Sequence, residues 1–90
     1  MGVTDPLIAE VLSLWEGAIV AKLRGYTHVQ LESDCLEAVD LWNSGYTDRS
    51  VVAPILAEVR ELSNSFSSFS ITHVTRSANS PAHLCAKRAC

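Results

Sequence analysis

The stretch His73 to Ala89, HVTRSANSPAHLCAKRA, decides how the rest of the chain is read. Its pattern is a strand end, a polar turn and a helix opening at Ser80-Pro81. Proline suits the first helical position, where its missing N–H is no loss. Arg76, Asn79 and His83 crowd this junction. Taken alone, ordinary turn, cap and helix-start roles account for them. Two carboxylates earlier in the chain, Glu10 and Asp34, turn the junction into one wall of a candidate metal site.

Immediately upstream, Phe69, Ile71 and His73 alternate with Ser70, Thr72 and Val74, so 68–74 reads as a strand. The Ser/Asn-rich run Ser63 to Ser68 separates it from a helix whose stripe is Val52, Ile55, Leu56, Val59 and Leu62. Ser50 is the expected cap of that helix. Pro54 falls in its first turn, where a lost donor costs little. Before a polar loop over 46–49, Cys35 to about Asn43 reads as a short helix. Asp34 would be its N-cap, with Glu37 three residues on as in a capping box.

Thr27 to Ser33 reads as the other strand. Val29 and Leu31 face one way; His28, Gln30 and Glu32 face the other. The chain opens with a helix announced by Asp5-Pro6. It carries Leu7, Ile8, Val11, Leu14, Trp15, Ala18 and Ile19 at helical spacing and ends near Leu23-Arg24 before Gly25. Gly17 shares the apolar face, which implies close approach to another element.

The order is helix, strand, helix, helix, strand, helix. Strands joined by a helical crossover run parallel, and parallel strands are normally covered on both faces. Two strands make a small sheet. The outer edge of strand 27–33 is therefore expected to be open, with self-association through it as the consequence.

Ninety residues allow one domain, and a domain this short buries only roughly 60–65% of its unfolded surface. The net charge of -3, with seven Lys plus Arg, leaves no overall footprint for nucleic acid. Such contact would rest on a local patch, Arg76, Lys87 and Arg88. Three cysteines without a CxxC spacing argue against a disulfide framework or a zinc module, and fit a reducing compartment. No apolar run spans a bilayer, and MGVTDP is not a signal sequence. An intracellular setting, cytoplasm or nucleus, is expected.

Asp34 stands at the carboxyl end of a presumed parallel strand, where α/β folds place ligands. Glu10 lies on the edge of a buried stripe, where a carboxylate must be solvated, paired or bound to metal. Partial exposure at the helix boundary is its simplest reading. His83 would be a nitrogen donor, better suited to zinc or manganese than to magnesium. His73 reads as a core-edge residue and His28 as exposed.

In their order and spacing, three marks resemble the ribonuclease H-like domain of plant non-LTR retroelements and their reverse-transcriptase-like relatives. They are AlaGlu opening the first helix, GluSerAsp closing strand 27–33, and Val-x-Arg-x-x-Asn-x-x-Ala-His entering the last helix. The likeness covers about residues 7 to 89. It implies two-metal hydrolysis of the RNA strand of RNA–DNA hybrids, with Mg2+ or Mn2+ held by converging carboxylates. By position, Glu10 and Asp34 are two of four metal-site carboxylates, and His83 stands where active relatives carry Asp. Arg76 and Asn79 would contact nucleic acid.

The resemblance also implies a five-stranded mixed sheet. The few residues before Pro6 cannot supply the first three strands or the first catalytic Asp. The expectation is thus an incomplete ribonuclease H-like α/β fold over 1–90, truncated at the N-terminus, with two parallel strands and about four flanking helices. It would be inactive as it stands. The alternative is a non-catalytic, retroelement-derived remnant or protein-interaction module of the same fold.

Overall fold

A computed structural model describes residues 5–45, 51–75 and 82–87, the last as a backbone strand. Its elements are α1 (Pro6–Leu23), β1 (His28–Ser33), α2 (Leu36–Ser44), α3 (Ala53–Ser63), β2 (Ser68–His73) and β3 (Ala82–Lys87). The expected cap Ser50, the loop over 46–49 and the junction residues Arg76, Asn79, Ser80 and Pro81 lie outside the described residues.

α1 begins as its sequence dictates. The Asp5 side chain accepts from the Leu7 N–H at 2.9 Å, and Pro6 takes the first helical position. At the other end the Tyr26 N–H reaches Ala21 O at 3.1 Å and the Gly25 N–H reaches Lys22 O at 3.0 Å. These two bonds form a Schellman motif, which needs a left-handed residue at its turn; Gly25 supplies it with φ 75°. Leu7, Val11, Leu14, Ala18 and Ala21 form the buried stripe at three- and four-residue steps.

β1 and β2 pair in parallel from His28↔Ser68 to Ser33↔His73, as expected of strands joined by helices. Val29, Leu31, Phe69 and Ile71 carry the apolar face. Against it pack the α1 stripe, Ala38, Val39 and Trp42 of α2, and Leu56 and Val59 of α3, with Val52 just before α3 and Phe66 just after it. Phe69 meets Trp42 edge-on at 5.4 Å between ring centroids and stacks on Phe66 at 5.7 Å. Gly17 permits the close approach its position implies: a Cβ there would lie 3.3 Å from Leu31 Cδ2.

Three expectations are corrected. The segment read as the last helix is a strand, β3, paired antiparallel to β1 from His28↔Lys87 to Ser33↔Ala82. The sheet order is β2-β1-β3, so the edge of β1 that was expected to be open is paired. A free β1 edge presents unpaired N–H and C=O groups, and six residues of nascent helix are too short to hold by themselves, so ladder pairing wins over local propensity. The described residues therefore form an α/β arrangement with three helices, two parallel strands and one antiparallel strand.

The second correction concerns α2. Cys35, not Asp34, stands at its N-cap position, and the Cys35 side chain makes no capping bond. The Cys35 N–H instead donates to Ser33 Oγ at 3.0 Å. Gly45 closes α2 in the left-handed region, with φ 69°. The third concerns the far face of the sheet. His28, Gln30, Ser68 and Ser70 there are exposed. Hydrogen bonds join His28 to Ser68 and Gln30 to Thr72 across it. All three described helices bury their residues against the apolar face, so the strands are not covered on both sides by them.

Candidate functional site

The site is assembled at the carboxyl end of β1. Period-two alternation places Ser33 in line with Val29 and Leu31, on the helix-facing side. It is 1% exposed. From α1, Glu10 enters the same space, three residues after Leu7 and four before Leu14. It is 4% exposed, so the expected boundary position is corrected: this carboxylate is in the core. Burial of a carboxylate demands hydrogen-bonding partners. The Ser33 hydroxyl supplies one, donating to Glu10 Oε2.

The same Ser33 oxygen accepts from the Cys35 N–H, so one buried atom ties α1 to the turn into α2. The Val74 N–H donates to Ser33 O at 2.9 Å and holds the exit of β2 beside this turn. Asp34, partly exposed, lies between Ser33 and Cys35 and is carried at the rim of the buried pair.

His83 lies in β3, where its backbone partner is Glu32, and Ala82 is the partner of Ser33. Arg76 and Asn79 lie outside the described residues. His73, expected at the core edge, is exposed at the end of β2, while His28 is exposed as expected.

Among the described residues no three or more His, Cys, Asp and Glu side chains gather as a metal-binding group. What the structure brings together is Glu10, Ser33 and the Asp34 turn. Carboxylate oxygens are hard donors and suit Mg2+ or Mn2+, with water completing the shell. The donor set thus fits such a cation in kind, with two carboxylates on adjoining segments.

Ser33, inside the GluSerAsp mark, carries no role of its own in the motif reading. Its signal was present: the alternation Val29, Leu31, Ser33 carries a hydroxyl into an apolar row. Trp42 and Arg60 were also not singled out. The guanidinium of Arg60 lies 3.9 Å from the Trp42 ring centroid and donates through Nη2 to Trp42 O at 2.9 Å, fastening α3 to α2.

Helices layered on a parallel strand pair, with carboxylates at the end of the first strand, define a partial ribonuclease H-like arrangement. The family model described as reverse transcriptase-like matches residues 1–89, and the chain belongs to that family, the ribonuclease H-like domains of retroelements. No curated protein and no solved structure matches it significantly. Among the described residues no helix is long and apolar enough to cross a membrane.

Proposed function

We propose that this chain is a ribonuclease H-type nucleic-acid-binding domain whose Glu10–Asp34 corner takes a divalent cation, Mg2+ or Mn2+. Its substrate class is the RNA–DNA hybrid, and its setting is the cytoplasm or nucleus, by the resemblance to plant retroelement relatives. The supporting observation is the placement of Glu10. A carboxylate is kept in the core, hydrogen-bonded to Ser33, the residue before Asp34 at the carboxyl end of a parallel strand. Stability alone favours an apolar residue at such a position.

A bound cation would supply Lewis-acid stabilisation of charge on the reacting phosphate. Glu10 and Asp34 would hold it, and Arg76 and Asn79 would contact the nucleic acid. Two carboxylates fall short of the four the resemblance implies, so these residues by themselves are proposed to bind the cation weakly and not to cleave. The test has two arms. Mg2+ titration followed by NMR should shift the Asp34 amide, and the response should vanish in Asp34→Asn. Incubation with a labelled RNA–DNA hybrid in Mn2+ should give no cleavage. A silent Asp34 amide would sink the metal reading. Cleavage lost in Glu10→Gln would sink the inactive one.

A second reading, a non-catalytic interaction module, has one observation in its favour. α1 and α3 leave an open groove lined by Trp15, Ile19, Lys22, Glu58, Glu61 and Leu62. Three of these six residues are apolar, Trp15, Ile19 and Leu62, and three are charged.

A further inference from the structure

The corner described above contains a residue whose role goes beyond packing. Ser33 is a hydroxyl in an otherwise apolar row, 1% exposed, and it is bonded on both sides. Its proton goes to Glu10 Oε2, and its oxygen takes the Cys35 N–H at 3.0 Å. Asp34 lies between the two bonded positions. One hydroxyl therefore bonds both the α1 carboxylate and the backbone just after the second one.

We infer that Ser33 is a positioning residue for divalent-cation binding: it locks the Glu10 carboxylate and the Asp34 turn into one arrangement. This rests on the metal reading proposed above. A carboxylate on α1 and another after β1 belong to elements far apart in sequence, and each side chain has its own rotamer freedom. A cation that must be shared between them pays for ordering both. A fixed hydroxyl between them removes part of that cost before the ion arrives, as hydrogen bonds to ligating carboxylates generally do. An apolar residue at 33 would fill the same space and take this hydrogen bond from the carboxylate.

The test is Mg2+ titration of the full chain, read at the Asp34 amide and the Glu10 side-chain carboxyl by NMR, with thermal melts as a folding control. Expected is a loss of about tenfold in affinity in Ser33→Ala. Ser33→Thr, which keeps the hydroxyl, should stay within about threefold of the parent on the same scale. Glu10→Gln should weaken the residual response at Asp34 at least as much as Ser33→Ala does. Adding Ser33→Ala to Glu10→Gln should then cost less than Ser33→Ala costs alone, because part of the hydroxyl's effect runs through Glu10.

Parent-like affinity in Ser33→Ala overturns this inference and leaves the metal reading standing. So does an equal loss in Ser33→Ala and Ser33→Thr, or an additive loss in the double variant, since either marks a general structural role. No Mg2+ response in the parent overturns both.

Discussion

Arg60 lies over the ring of Trp42 and hydrogen-bonds the carbonyl of the same residue, so one guanidinium holds both the side chain and the backbone of its partner. Trp42 in turn meets Phe69 of β2 edge-on. The chain Arg60, Trp42, Phe69 runs from α3 through α2 to the sheet. Arg60→Ala should cost about 1–2 kcal/mol, combining a cation–π contact with a charged hydrogen bond. Arg60→Lys should recover less than half of that, because an ammonium cannot cover the ring as a planar group does. Urea unfolding of the two variants checks this; equal stability of Arg60→Ala and the parent would refute it.

Ser33 and Glu10 predict a second stability effect, separate from metal binding. Ser33→Ala takes a donor from a buried carboxylate and should cost about 1–3 kcal/mol without added cation. For a chain of this size, that lowers the melting temperature by roughly 4–8 °C per kcal/mol. An unchanged melting temperature would contradict the buried pairing.

Gly25 should not tolerate a side chain. Its φ of 75° is needed by the Schellman turn after α1, and nothing lies within 4 Å of a Cβ there. Gly25→Ala should therefore cost about 1 kcal/mol through backbone strain alone, with no clash. Gly17 presents the opposite case. Its backbone is helical, so Gly17→Ala gains about 1 kcal/mol of helix propensity, offset by contact with Leu31 at 3.3 Å. The expected net change is within about 1 kcal/mol of the parent, whereas Gly17→Leu should cost about 1–3 kcal/mol by overpacking. Thermal melts of the three variants decide both points.

β3 gives a direct spectroscopic prediction. Backbone chemical shifts of Ala82–Lys87 should be strand-like, and the β1 amides facing that side should exchange slowly. Helix-like shifts would restore the sequence-based expectation and reopen the β1 edge. Shortening the chain after Val74 should expose that edge, and sedimentation should then show self-association.

Much of the fold was legible in the sequence because the signals were local. Asp5-Pro6, Gly25, the apolar stripes of α1 and α3 and the alternation in β1 and β2 each depend on neighbours a few residues away. The parallel pairing of β1 and β2 followed from chain order and connection rules. The motif order placed the chain in its family, and Glu10 and Asp34 emerged as the carboxylates to follow. What local signals could not contain was the outcome of competition between segments.

Residues 82–87 carry a helix-like pattern, yet become strand because β1 offers them a complete row of hydrogen-bond partners some fifty residues upstream. Glu10 reads as a boundary residue on its own helix, yet is buried because Ser33, 23 residues later, meets it with a hydroxyl. Helix starts, turns and strand periods are properties of short stretches, so the sequence by itself determined them. Edge pairing and burial of the carboxylate depend on which distant groups come within hydrogen-bonding reach, and only the tertiary structure decided those.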